Sequence, residues 1–162
     1  MKNKKFKLVL AVAGLAICSQ AADINWIGVT GQWTNALNWV GGNVPDIGGT
    51  DNAVISSGTA SYDPSDADFS VNTGSRLIID GGTWKQLSGA WMSFPGGQFE
   101  VSSGGSLQAG ANVLVLSGGG SNSVDGSASS LTVSGNNKVS IEGGSSLSVS
   151  GGATATLPRV TM

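Results

Sequence analysis

The 162-residue chain contains no histidine. That removes imidazole from its chemistry, so neither a His-based catalytic triad nor a His-ligated metal is available. The one cysteine, Cys18, sits in an apolar stretch near the start. Beyond it there is no thiol for catalysis, for a metal thiolate or for a disulfide. Charged residues make up only 11% of the chain. No phosphate-binding or dinucleotide fingerprint is present. Gly118-Gly119-Gly120 reads as a turn, because no helical segment follows to present its N-terminus to a phosphate.

Long apolar runs are missing as well, with one exception at the N-terminus. Lys2, Lys4, Lys5 and Lys7 form a basic stretch, Leu8 to Ile17 an apolar one, and Ser19-Gln20-Ala21 puts small residues at the −3 and −1 positions. This pattern predicts a secretory signal peptide over residues 1–21, cleaved after Ala21. The run is short for a spanning helix, which leaves an uncleaved anchor as the alternative. Leu15-Ala16-Ile17-Cys18 approaches a lipoprotein box, but Ile17 stands where a small residue belongs. Without residues 1–21 the cations are Arg76, Lys85, Lys138 and Arg159 against ten carboxylates, a net charge of about −6. Such a balance argues against nucleic acid and anionic membrane surfaces as partners. No membrane span is expected after signal cleavage.

What the chain has in quantity is glycine, 26 residues, with abundant serine and asparagine. That composition alone suggests disorder. The placement of the apolar residues argues otherwise. Pairs recur from Gln98 to Leu157: Phe99/Val101, Leu107/Ala109, Val113/Val115, Leu131/Val133, Val139/Ile141, Leu147/Val149 and Ala155/Leu157, with Val124 a weaker member. Within a pair the spacing is 2, which puts both side chains on one face of a strand. Between pairs the step is repeatedly 8, and Leu107 to Leu131 and Val115 to Val139 are each 24. Leu77 to Phe99 is 22 and Val124 to Leu147 is 23. Coils of 22–24 residues, each with three short strands, describe an all-β parallel β-helix, or β-solenoid. A flatter coil of two strands per 16 residues is the alternative. Residues 71–162 then hold about four coils, with an open last coil suited to end-to-end self-association.

Residues 22–70 read differently. Gly28 and Gly31 fall between Trp26 and Trp33, and Gly41, Gly42 and Pro45 follow Trp39, which favours short strands and turns. A stack of coils leaves apolar side chains and an unpaired edge at its end, and three large rings suit a cap there. Exposed rings that stack on sugars are the other reading. The pattern of Trp26, Trp33, Trp39, Gly41, Gly42 and Pro45, followed by Asp51, Ala53 and Ile55, resembles the N-terminal portion of a group of secreted bacterial proteins. In these, autotransporter-type β-strand repeats follow a Trp-rich start, and some members carry a PEP-CTERM sorting tail. The resemblance implies an exported or surface-exposed right-handed β-helix and implies no reaction. The chain ends at Leu157-Pro158-Arg159-Val160-Thr161-Met162 without an apolar tail, so neither a sorting-tail anchor nor a translocator barrel is expected.

Three groups of residues are candidates for a site. Trp84 and Trp91 lie in the bulkiest interruption of the repeat and serve either as core or as a carbohydrate-binding surface. Asp63, Asp66 and Asp68 offer oxygen ligands to Ca²⁺, although their spacing is not that of a helix-flanked calcium loop and a solvated acidic loop accounts for them better. Between Gln98 and Met162 the acids are Glu100, Asp125 and Glu142, and the 25 residues from Glu100 to Asp125 allow one coil to stack that pair for a polysaccharide lyase or hydrolase. Ice binding is set aside, because Thr154/Thr156 is the only T-x-T. The expectation is an exported structural or adhesive β-helix, secreted or at the cell surface of a Gram-negative type of cell. It has no cofactor and no catalysis, and takes extracellular polysaccharide or other surface proteins as partners. A carbohydrate-binding module and a polysaccharide-degrading enzyme are the alternatives.

Overall fold

The computed structural model describes residues 21–63, 68–87, 89–110, 112–134 and 138–162. The chain winds through short strands in repeating sets. The first rung has β1 (Ala22–Asn25) and β2 (Thr30–Gln32). The second has β3 (Asp51–Ile55), β4 (Thr59–Tyr62) and β5 (Phe69–Ser70), and the third β6 (Arg76–Asp80), β7 (Thr83–Gln86) and β8 (Met92–Pro95). The fourth has β9 (Gln98–Ser102), β10 (Ser106–Ala109) and β11 (Val113–Ser117), and the fifth β12 (Ser121–Asp125), β13 (Ser130–Val133) and β14 (Lys138–Ile141). The sixth has β15 (Ser146–Ser150), β16 (Thr154–Thr156) and β17 (Val160–Thr161).

Each strand pairs in parallel with its counterparts on neighbouring rungs, giving two six-stranded sheets and one five-stranded sheet. The first sheet runs β1-β3-β6-β9-β12-β15, the second β2-β4-β7-β10-β13-β16, and the third β5-β8-β11-β14-β17. This is a three-sided β-solenoid. The registers Leu77↔Phe99 and Leu107↔Leu131 match the sequence spacing. Three strands per coil replaces the two-strand alternative.

Side chains of one phase stack inside as columns. Ala53, Leu77 and Phe99 form one, and Ile55, Ile79 and Val101 the next. Ala60, Trp84, Leu107 and Leu131 form a third. All ten are essentially inaccessible to solvent. Each large apolar side chain buried this way contributes about 1.5–3 kcal/mol. Turns between sheets pack rung on rung so closely that several admit no side chain. A Cβ at Gly97 would collide with the Val71 carbonyl oxygen, and neighbouring Gly96 has φ +76°.

Two phases differ from the spacing. In β11 the inward residues are Leu114 and Leu116, not Val113 and Val115. Leu114 lies over Met92 and under Val139. Val113-Leu114-Val115-Leu116 is a continuous apolar run, which satisfies alternation in either frame and so carries no phase of its own. In β12 Val124 pairs with Val149, and the side chain opposite Leu147 is Asn122. Asn122 is buried yet satisfied. Its Oδ1 accepts from the Phe99 N–H at 3.0 Å, and its Nδ2 donates to the Ser146 carbonyl at 3.1 Å.

The third sheet has no strand in the first rung, and residues 33–47 occupy that end. Trp26, Trp33 and Trp39 are buried there. Trp39 meets Trp26 and Trp33 edge-on at centroid distances of 5.0 and 4.7 Å. Trp33 in turn meets Phe69 at 5.3 Å, and Phe69 meets Trp84 at 4.6 Å. The cap is therefore continuous with the core. The Trp39 and Trp26 ring N–H groups donate to the Trp33 and Val29 carbonyls, both at 2.8 Å. The rings are thus core, with no face free for a sugar. At the other end Val149 and Val160, inward by phase, are each 43% exposed because no rung covers them. Among the described residues, no helix is long and apolar enough to cross a membrane. The signal peptide expected over residues 1–21 lies, except for Ala21, outside the described residues.

Candidate functional site

The outer face of the second sheet is built by register. Thr30, Thr59, Thr83, Ser106, Ser130 and Thr154 occupy equivalent positions on successive rungs. They form a hydroxyl column along the whole stack. Two residues on, Gln32, Ser61, Lys85, Gln108, Thr132 and Thr156 form a second column. Rungs are about 4.8 Å apart and the columns about two residue rises apart, which defines a regular polar grid. Ser130 Oγ donates to Ser106 Oγ at 3.1 Å, and Gln108 Nε2 to the same oxygen at 3.3 Å.

Where this face turns toward the third sheet, a groove of about 330 Å³ is lined by Lys85, Gln86, Gln108, Gly110, Thr132 and Ser134. Lys85 is exposed, and Gln108 and Thr132 are half-buried. Gln86 is 2% exposed and packs inward beneath them, with its Nε2 donating to the Ala90 carbonyl at 2.9 Å. The lining joins one cation to amide and hydroxyl groups at consecutive rungs. Sequence spacing points to this alignment, since residues 85, 108 and 132 follow the coil repeat. Their chemistry is ordinary for a solvent face, which is why it draws no attention before the rungs are stacked.

Beyond the corner lies the outer face of the third sheet. Trp91 stands immediately before β8, in the same phase as Val113 and Lys138, which pair directly. Trp91 is 52% exposed. Arg159 precedes Val160, the partner of Val139, so it continues the column one rung beyond Lys138. Asp68 precedes β5 at the opposite end of this column, and its Oδ1 accepts from the Trp91 backbone N–H at 2.9 Å.

The pair Trp84 and Trp91 is thereby separated. Trp84 faces inward, where its neighbour Ala60 is small enough to leave room for the indole, and it is 0% exposed. It has no ring face to offer a ligand, and its Nε1 has no hydrogen-bond partner among the described residues. Of the two, only Trp91 is at the surface.

The carboxylate candidates lie elsewhere. Glu100 pairs in register with Ser123, two residues short of Asp125. Both acids face outward from the first sheet and both are engaged. Glu100 forms an exposed ion pair with Arg76 at 3.0 Å, and Asp125 accepts from Ser150 Oγ at 2.7 Å. Neither lines the groove described above or the smaller one of about 140 Å³ around Gly74, Ser75, Arg76, Gly96 and Gln98. On the same face Asp80 is held below the usual carboxylate value of 3.8 by hydrogen bonds from Ser103 and Ser102.

Of the calcium candidates, Asp63 is exposed, Asp68 is committed to the Trp91 N–H, and Asp66 lies outside the described residues. Among the described residues no three acidic or sulfur ligands gather around a metal-sized space. Tyr62, beside Asp68, has its phenol pushed above 10.0, first by burial and then by that carboxylate. Comparison of the chain with family models, with curated proteins and with solved structures finds no match.

Proposed function

We propose that this chain is an exported structural or adhesive β-solenoid of the cell surface or extracellular space, working by presenting surfaces rather than by turning over a substrate. The observation that carries this reading is the outer face of the second sheet. Two polar columns continue through all six of its strands. A uniform, rigid polar grid suits contact with an extended surface, whereas catalysis needs a few groups converging on one point. The candidate carboxylates Glu100 and Asp125 are instead tied to Arg76 and Ser150. The leader-like residues 1–21 and the resemblance to secreted repeat proteins support export.

The test is expression of the full chain in a Gram-negative host. Recovery outside the cytoplasm with Ala22 as the first residue, together with retention of protein-coated beads on a polysaccharide or cell surface, is the expected result. Cytoplasmic retention with residues 1–21 intact overturns the export reading. Release of new reducing ends or unsaturated sugars from a polysaccharide panel overturns the non-catalytic one.

A further inference from the structure

We infer that the corner between the second and third sheets binds an acidic, uronate-type polysaccharide laid along the axis of the stack, with Lys85, Gln108 and Thr132 as its floor and Trp91, Lys138 and Arg159 along its far side. The inference rests on the surface-presenting reading above and names its partner.

Charge is distributed unevenly around the stack. The outer face of the first sheet carries Asp23, Asp80, Glu100 and Asp125 against one cation, Arg76. Lys85, Lys138 and Arg159, the other cations beyond residue 21, lie on the second and third sheets or at their corner. All three are exposed. A chain of net negative charge that collects its free cations on one flank has a surface complementary to an anion there. The described acids of that flank are Asp63, which follows β4 one rung before Lys85, Asp68, which accepts from the Trp91 N–H, and Glu142, which follows β14.

The form of the site suggests a polymer. Lys85, Gln108 and Thr132 repeat at one position on three successive rungs, and Trp91, Val113 and Lys138 do so on the next sheet, beyond the corner. Contacts spaced along an axis fit a chain with repeating groups better than a compact molecule. The groove lining offers an ammonium for carboxylates and amide and hydroxyl groups for sugar hydroxyls. Half of the Trp91 surface is open for the C–H face of a pyranose ring. Three cations over four rungs are too sparse for a nucleic acid backbone. They also fall short of the basic clusters that hold proteins on anionic lipid.

The experiment measures binding of the purified full chain to polygalacturonate, with neutral dextran and phosphatidylglycerol vesicles as comparisons. Polygalacturonate binding that exceeds dextran binding and weakens as salt rises past ~0.15 M is expected. Lys85→Gln lowers affinity about twofold. The triple change Lys85→Gln, Lys138→Gln, Arg159→Gln lowers it about tenfold, the sum of three exposed ion contacts. Trp91→Ala weakens binding independently of salt, and Arg76→Gln, on the opposite flank, leaves it unchanged. These positions are exposed, and an unaltered circular dichroism spectrum establishes that the variants fold. Equal binding to dextran, a triple variant with full affinity, or vesicle binding in place of polygalacturonate binding overturns the inference. An exported, adhesive chain that ignores polygalacturonate sinks this inference alone. A chain neither exported nor adhesive sinks the parent reading as well.

Discussion

Replacing Leu114 by alanine tests the phase of β11, one of the two strands on which the sequence spacing and the structure disagree. Leu114 is fully buried between Met92 below and Val139 above. Its neighbour Val115 is half-buried on the outer face. Truncating Leu114 loses the transfer free energy of the removed atoms and opens a cavity that stacked rungs close only in part. Such losses run about 2–5 kcal/mol, and a value near 3 kcal/mol suits a site covered on both sides. With a urea slope of about 2 kcal/mol/M, the midpoint falls by about 1.5 M. Val115→Ala removes two methyl groups from a partly solvated position, costing less than about 1 kcal/mol, so its midpoint moves by less than about 0.5 M. Urea unfolding followed by tryptophan fluorescence and by circular dichroism supplies the comparison, and coincident curves establish a single transition. If Val115→Ala costs as much as Leu114→Ala, the inward assignment of Leu114 is wrong and the corner before β11 is one residue out of register.

Three further outcomes follow from the same coordinates. Asn122→Leu strips the Phe99 N–H and the Ser146 carbonyl of their partner, so it destabilises by about 2 kcal/mol in chemical denaturation despite its apolar side chain; a more stable variant would contradict the assigned bonds. Tyr62, the only tyrosine, has a folded-state pKa above its free value, so its neutral form favours the fold and that contribution, complete below pH 10.0, is lost as pH rises through the raised value. Spectroscopic titration should find phenolate forming later than in free tyrosine, and Tyr62→Phe should delay alkaline unfolding. Of the five tryptophans only Trp91 is exposed, so acrylamide should quench a minor red-shifted component that Trp91→Phe abolishes; uniform quenching of all emission would mean the Trp26, Trp33, Trp39 and Trp84 rings are not packed as described.

The sequence by itself determined the architecture. Period-2 apolar pairs, breaks at glycine and a coil-length recurrence leave a stacked parallel β fold as the economical way to bury Leu77, Phe99, Leu107 and Leu131 in columns. It also offered three tryptophans near the start as a cap or as a sugar-stacking surface, and their edge-on burial at the end of the stack decides for the cap. Tertiary structure decided what spacing leaves degenerate. A continuous run such as Val113 to Leu116 has no intrinsic inside. Its phase comes from the corner before it, where the Asn112 N–H reaches the Gly89 and Ala90 carbonyls. Trp84 and Trp91 are alike in sequence, yet one indole falls on the inward side of β7 above Ala60 and the other just outside β8. The groove at Lys85, Gln108 and Thr132 exists only once three coils are superimposed, since its residues are adjacent across rungs and distant along the chain. Local pattern selects the repeat; lateral register selects which unremarkable polar side chains become a surface.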